Sequence, residues 1–373
     1  MIIISRIRTA LAKPSSCAVD GCQPVKHDQR IKTRHTLALS LTVVGLMTSV
    51  SLLGLQGTKT RVAGQTSGAA TSAVTDVDPW RVPRTEVGQP DIGGVWNFST
   101  ITPLERPAQF AGRSFMTAEE AAEFERRRFQ AIDQPLGDGP AIDAFWLERG
   151  RLATVNDLYP TALVVDPPDG RIPPLTPEAQ QRIAERSEAN RRTEGPEDRS
   201  LSERCLRSAS GPPMFPSADA NLVRIVQTRD YVVIMPEKFH DARIVPLNGQ
   251  LHLFPDIRTW MGSAHGHWDG NTLVVDTTNF TEKIGLGGRF DENLHLVERF
   301  TRVGPNTLLY EVRIDDPTTF VKPWSVALPM TKTNEQMYEF ACHEGNYALL
   351  NILRAARFSG QVERSVPTDR QDR

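Results

Sequence analysis

The chain has 373 residues, 24% of them charged, and its 43 Lys and Arg against 45 Asp and Glu give a formal net charge of −2. This length allows one large domain or two with a substantial buried core, and the near-neutral balance excludes a global field that would favour nucleic acid or an anionic membrane. The 27 Pro and 26 Gly are typical of a turn-rich all-β or α+β protein.

The N-terminal region has the pattern of an export signal. Basic residues precede an apolar stretch at 36–55, and small residues dominate the stretch that follows, 57–73. These stretches match the n-, h- and c-regions of a signal peptide, and about twenty apolar residues would also suffice for an uncleaved membrane anchor. The alternative is a buried hydrophobic helix. We therefore expect residues 1–75 to be a signal or anchor plus a disordered linker. The protein would then be periplasmic or extracellular, with membrane contact only through this segment if it stays uncleaved.

Export changes the interpretation of the cysteines. Cys17 and Cys22 precede the apolar stretch, so Cys205 and Cys342 would be the pair left in an oxidising compartment. A disulfide between them is the natural prediction, and the alternative is two buried free thiols.

The domain is predicted to begin with a strand and a helix. Residues 91–98 have the pattern of a strand, with a G-x-W motif that starts at Gly94. Thr117 with Glu120 forms a capping box, which predicts a helix to about residue 131.

A second, polar helix is predicted further on. Thr176 is a good N-cap, Pro177 suits the first helical position, and the pattern continues to about residue 192. Between the two helices, a loop rich in aromatic and charged groups carries Trp146 and Arg149, both candidate ligand-binding residues.

From residue 222 onward, turn signals between apolar runs predict antiparallel hairpins. Asn-Gly and similar pairs favour tight turns because the central residues need positive φ. The predicted turns are Thr228–Asp230, Asn248–Gly249, Asp269–Asn271 and Gly304–Asn306. The Asn248–Gly249 turn would join strands at 243–247 and 250–254.

These elements predict an α+β fold that is mainly antiparallel β. We expect a single β-rich domain at 76–360, built as a curved sheet or lipocalin-like barrel with a helical excursion at about 112–205 packed on it. Residues 361–373 would be a disordered tail. Up-and-down barrels hide their edges by closure and can hold a ligand inside.

Two resemblances accompany this prediction. The G-x-W strand followed by a hairpin meander resembles lipocalin-type (calycin) barrels, which would imply a ligand-holding lumen. A second set of segments spans most of residues 80–358 and comprises 102–107, 172–176, 203–206, 240–243, 268–275 and 341–347. Together these segments resemble a large family of uncharacterised exported bacterial proteins, which implies export but no mechanism.

The strand at 294–302 carries two candidate ligand-binding residues. Period-2 alternation puts Glu298 on the apolar face with Leu296 and Phe300, and His295 on the other face. A carboxylate on the inner face either pairs with an interior Arg or serves a ligand in a lumen.

Two His-carboxylate pairs are candidate catalytic groups. His240 and Asp241 precede Arg243, so a base, its orienting carboxylate and an anion-binding Arg lie close in sequence. His343 and Glu344 follow Cys342, and a disulfide would fix them on a loop. The alternative for both pairs is a turn whose polar side chains satisfy backbone groups.

His265 and His267 share a strand face and form a tempting metal pair, but no third ligand lies near them in sequence. No metal site is therefore predicted, and the cofactor stays unknown. Trp260 and Arg243 complete the candidate ligand-binding set. No G-x-S-x-G, H-E-x-x-H, P-loop or G-x-G-x-x-G motif occurs.

Two functional hypotheses follow. The first is an exported β-barrel-like protein that binds a small, amphipathic molecule in an apolar lumen near Glu298. The second is an exported enzyme that uses a His/carboxylate pair for proton transfer or hydrolysis.

Overall fold

The computed structural model describes residues 80–132, 148, 150–207, 211–249, 252–281 and 289–365. These residues belong to one compact unit that begins at Thr75. The predicted export signal, the predicted tail beyond residue 365, and the loop residues Trp146 and Arg149 lie outside the described residues.

Short strands and three longer helices make up the described part of the chain. The strands are β1 Gly94–Asn97, β2 Phe115–Met116, β3 Tyr159–Pro160, β4 Val164–Asp166, β5 Leu222–Gln227, β6 Tyr231–Pro236, β7 Arg243–Pro246, β8 Ser263–Asp269, β9 Thr272–Thr278, β10 His295–Gly304, β11 Thr307–Asp315 and β12 Trp324–Thr333. The α-helices are α1 Ala118–Ile132, α2 Pro177–Arg191 and α3 Tyr347–Ser365, and the 3₁₀ turns are Ala108–Phe110, Pro196–Asp198 and Lys238–His240.

One antiparallel sheet forms the body of the molecule and curls into a nearly closed barrel. Its strands are ordered β7-β6-β5-β1-β12-β11-β10-β9-β8, and β4 adds to β12. The two end strands, β7 and β8, lie side by side. At this seam a Cβ added to Gly266 would lie 2.8 Å from Val245 Cγ1 and 2.9 Å from Leu247 Cδ2, so the glycine permits the close approach. The α+β prediction, mainly antiparallel, is confirmed.

Three of the four predicted hairpins are confirmed. Turns at 228–230, 269–271 and 304–306 join β5 to β6, β8 to β9, and β10 to β11. The fourth is wrong, because residues 252–254 form no strand. Leu253 N–H instead donates to Ser263 Oγ at 3.1 Å, which folds the segment back onto the start of β8.

The barrel interior is filled with side chains. Trp96, Phe300, Tyr310 and Trp324 are fully buried and belong to one apolar cluster. Phe300 and Tyr310 have ring centroids 5.1 Å apart. Aromatic pairs at this spacing stabilise a core beyond their buried area alone.

The two long helices of the helical excursion, α1 and α2, begin at the predicted capping residues. Thr117 and Glu120 exchange hydrogen bonds of 2.9 and 3.2 Å, which is the capping box, and α1 follows directly. Thr176 accepts from Ala179 N–H at 3.1 Å at the start of α2. The excursion packs on the barrel through β4, which pairs with β12.

Two further features concern the C-terminal part. Cys205 and Cys342 form a disulfide with an S–S distance of 1.96 Å, as predicted. Helix α3 was not predicted. Among the described residues, no helix combines the length and apolarity needed to cross a membrane.

Candidate active site on the outer face of the barrel

The outer face of β8, β9 and β10 gathers several titratable side chains. The hairpin register pairs His265 on β8 with Asp276 on β9, and Asp276 with Val297 on β10. Because alternate residues of a strand share a face, His295 lies on the same face as Val297. His252, from the loop before β8, completes a cluster that we call the histidine cluster: His252, His265, Asp276 and His295.

Asp276 lies at the centre of the histidine cluster and contacts two imidazoles. Its Oδ1 is 3.0 Å from His252 Nε2, and its Oδ2 is 2.7 Å from His295 Nε2. All three side chains are partly exposed. A small molecule in solution can therefore reach them.

The contacts between Asp276 and the two histidines shift the pKa values of Asp276 and His295. Burial alone would raise the pKa of Asp276, but the hydrogen bonds and charges of His295 and His252 hold it below its ordinary value. The hydrogen bond to Asp276 raises the pKa of His295, against the opposing effect of burial. This pattern, a carboxylate that stays ionised beside a strengthened base, is typical of Asp-oriented catalytic histidines.

His252 contacts an acceptor through each of its ring nitrogens. Its Nδ1 lies 2.9 Å from the carbonyl oxygen of Ser263, and its Nε2 lies 3.0 Å from a carboxylate oxygen of Asp276. Only a ring that carries a proton on both nitrogens can donate to both partners at once. His252 therefore positions Asp276 and, with both nitrogens engaged, leaves none for a ligand.

His295 has the complementary arrangement. Its Nε2–H donates to Asp276 at 2.7 Å, and no described residue bonds its Nδ1. In the neutral form Nδ1 carries the free lone pair. His295 is therefore the candidate base of the cluster, oriented by Asp276 and partly exposed.

His265 and Ser263 lie behind this pair. The His265 ring meets the His252 ring edge-on with centroids 4.3 Å apart, and its Nε2 is 3.5 Å from Ser263 Oγ. Burial, together with the nearby His252, lowers the pKa of His265. A neutral His265 avoids a second positive charge beside His252 when His252 carries a proton.

A well-anchored loop forms one side of the histidine cluster. The 252–263 loop is closed at its ends by the bonds of His252 and Leu253 to Ser263. The side-chain amide of Asn279 donates to the carbonyl oxygens of Leu253 at 3.0 Å and Phe254 at 2.8 Å. Phe254 and Trp260 nevertheless expose 76% and 40% of their surface.

Glu298 and Arg243, two predicted ligand-binding residues, lie inside the barrel. Arg243 Nη1 and Nη2 donate to the two oxygens of Glu298 at 2.6 and 3.1 Å. Tyr310 O–H donates to the same carboxylate at 3.0 Å. Glu298 is fully buried, so of the two alternatives for this carboxylate the structure has the interior Arg pair. A neighbouring cavity of about 10 Å³, lined in part by Arg243, has room for about one water molecule.

The predicted catalytic residues lie in another region. Asp241, His343 and Glu344 line one cleft of about 470 Å³ beside the disulfide. His240 ends the 3₁₀ turn Lys238–His240, and its side chain lies outside the described part of the structure. Among the described side chains, no hydrogen bond links Asp241, His343 and Glu344 to one another, whereas Asp276 of the histidine cluster contacts two imidazoles.

Two of the remaining predicted ligand-binding residues lie at the histidine cluster, and two lie outside the described residues. His295 belongs to the histidine cluster, and Trp260 lies on its loop. Trp146 and Arg149 cannot be placed, because they lie outside the described residues. Across the described ranges, no three His, Cys, Asp or Glu side chains are arranged to hold a metal ion.

Sequence reasoning missed His252 and Asp276 as residues of the histidine cluster. A signal for Asp276 was present, because a hairpin with a two-residue turn at Gly270 and Asn271 pairs residues 265 and 276. His252 gave no such signal, since its position depends on a loop that folds back on Ser263.

Neither a protein-family model nor a curated protein matches this chain. The geometry of the histidine cluster is therefore the feature that points to a function.

Proposed function

We propose that the protein is an exported acid–base enzyme that binds a small molecule on the outer face of β8, β9 and β10. His295, oriented by Asp276, takes a proton and then gives it to the leaving group, and His252 helps to hold the carboxylate of Asp276. The observation that carries this proposal is the carboxylate of Asp276, held at 3.0 and 2.7 Å from the Nε2 atoms of both histidines. The reaction class that this arrangement suits best is hydrolysis assisted by general acid–base catalysis.

The proposal unites the two hypotheses drawn from the sequence. Small-molecule binding moves from the interior, where Glu298 is held by Arg243 and Tyr310, to the outer surface. The His/carboxylate chemistry is assigned to His295 and Asp276. The architecture supports a lipocalin-like barrel, and the resemblance to uncharacterised exported bacterial proteins belongs to the same proposal.

Export itself is part of the proposal. The disulfide between Cys205 and Cys342 supports an oxidising compartment, periplasmic or extracellular. The N-terminal apolar stretch at 36–55 supports the same location.

Hydrolysis of p-nitrophenyl acetate by the full chain tests the acid–base assignment, because imidazole bases act on this ester. We expect Asp276→Asn and His295→Gln to lower the rate by 10²–10⁴-fold, the usual contribution of a positioned acid or base. His267→Gln is the matched control, since His267 is exposed on the same face of β8 and makes no contact to Asp276.

The pH dependence provides a second test. The rate should rise with pH as His295 loses its proton, at a pKa above that of an ordinary histidine. In Asp276→Asn this rise should move to lower pH, because the carboxylate that raises the pKa is gone. Equal rates in the wild type, Asp276→Asn and His267→Gln would refute the assignment.

A further inference from the structure

The 252–263 loop presents an unusual concentration of uncovered apolar side chains. Leu253, Phe254, Ile257 and Trp260 are all among the exposed large hydrophobic residues, and Phe254 exposes 76% of its surface. Exposed apolar patches beside polar groups often mark binding sites. The loop lies directly next to the histidine cluster, because His252 is its first residue.

This exposure does not come from a loosely held backbone. Asn279, which has a positive φ of 59°, donates from its side-chain amide to the carbonyl oxygens of Leu253, Phe254 and Ile257. Arg258 donates to the carbonyl oxygens of Phe280 and Glu292 at 3.2 and 2.7 Å. Three backbone carbonyl oxygens of the loop are thus hydrogen-bonded to Asn279, while the apolar side chains are exposed.

The anchoring also fixes the loop relative to the chemistry. His252 begins the loop, and Ser263, which bonds His252 and Leu253, ends it. A ligand that covers Phe254 therefore lies two residues along the chain from His252, which contacts Asp276. An apolar surface held at this position suits the apolar part of a substrate whose polar group lies over the histidines.

We propose that the 252–263 loop binds the acyl chain of an amphipathic ester, and that the histidine cluster hydrolyses its ester bond. This inference rests on the proposed function and names the substrate class for it. Water attacks the carbonyl carbon while His295 takes the water proton. The bond from carbon to the alcohol oxygen then breaks, and His295 gives the same proton to the leaving oxygen. The products are a carboxylic acid and an alcohol, and His295 is again neutral.

A chain-length series tests the acyl subsite. The full chain is assayed for kcat/KM with p-nitrophenyl acetate, butyrate and hexanoate. A fully buried methylene contributes a factor of about four, and a half-covered one about two. Over the four additional methylenes of the hexanoate, we expect a hexanoate-to-acetate ratio of about sixteen or more.

The variant Phe254→Ala should lower the hexanoate-to-acetate ratio at least three-fold, because it removes a surface that the acyl chain contacts. The ratio is a suitable readout because it does not depend on how much of the sample is folded. Phe358→Ala is the matched control. Phe358 is 68% exposed on helix α3, so its removal should leave the ratio unchanged.

The outcomes separate this inference from the proposed function. A flat chain-length series, with acetate hydrolysis that still depends on Asp276, overturns the acyl subsite and leaves the acid–base function in place. Hydrolysis that is independent of Asp276 overturns both. A loop that is instead covered by a second copy gives a flat series together with a dimer that Phe254→Ala converts to monomer in size-exclusion chromatography, and this result also overturns the subsite.

Discussion

The buried ion pair inside the barrel gives a prediction whose size follows from its burial. Glu298 has no exposed surface, and Arg243 is 5% exposed. The variant Glu298→Gln keeps the shape of the side chain but leaves the guanidinium of Arg243 as an uncompensated buried charge. Breaking a buried pair in this way costs about 3–5 kcal/mol. A typical domain has about 5–15 kcal/mol of stability, so the variant should be close to the limit of folding.

Urea unfolding followed by the fluorescence of the buried Trp96 and Trp324 measures this cost. Tyr310→Phe serves as a graded comparison, because it removes one donor from Glu298 and the acceptor of Met214 N–H at 3.2 Å. We expect it to cost about 1–3 kcal/mol, the penalty for leaving buried polar groups unpaired. An unchanged slope of free energy against urea would show that both states keep their compactness.

A double-mutant cycle isolates the pair itself. The second partner is removed in Arg243→Met, and the combined variant Glu298→Gln with Arg243→Met should be less destabilised than the sum of the single changes by at least about 2 kcal/mol. Removal of both charges leaves no orphaned ion. A cost for Glu298→Gln below about 1 kcal/mol, or additivity within about 0.5 kcal/mol, would refute the reasoning.

Three further predictions concern other parts of the molecule. Reduction of the disulfide between Cys205 and Cys342, which are 137 residues apart, should lower the free energy of unfolding by about 5 kcal/mol in the chain-entropy model, measured by urea unfolding with and without reductant. NMR titration should find the pKa of His295 above an ordinary histidine, and Asp276→Asn should return it toward the ordinary value. The ion pair of His295 and Asp276 stabilises the fold fully when Asp276 is ionised and His295 is protonated. Its contribution is lost as the pH rises through the folded pKa of His295 or falls through the folded pKa of Asp276. Gly266→Ala should cost about 1–3 kcal/mol by overpacking the seam, and a cost near zero in urea unfolding would contradict the tight approach of β7 and β8.

Turn residues predicted a hairpin correctly where the strands on both sides of the turn also pair in the sheet. Gly270 has a φ of 60° and joins β8 to β9, two strands that pair along their whole length. Gly249 has a φ of 70°, so it adopts the conformation the Asn-Gly pair favours. Residues 252–254 still form no strand, because Leu253 bonds Ser263 and Asn279 and does not pair with β7. Local propensity fixed the turn, and tertiary contacts decided the strand.

Helix α3 was missed for a different reason. Leu349, Ile352, Leu353 and Ala356 follow helical spacing, and Asn346 accepts from Leu349 N–H at 3.3 Å at the start of the helix. Both signals were present in the sequence. The polar residues 343–346 have the composition of a turn, and a turn there is compatible with the helix that begins three residues after Glu344.

The same residue types perform different tasks inside and outside the barrel. The carboxylate of Glu298 accepts from Arg243 and Tyr310 and touches no solvent, so no substrate can reach it. Among the described residues, the carboxylate of Asp276 contacts two imidazoles that are themselves partly exposed. A charge that is held by a guanidinium in the interior stabilises the fold, whereas a charge that is shared between two partly exposed histidines stays within reach of solvent. The outer face of β8, β9 and β10 is therefore where the proposed chemistry is placed, and the packed interior is what holds that face in register.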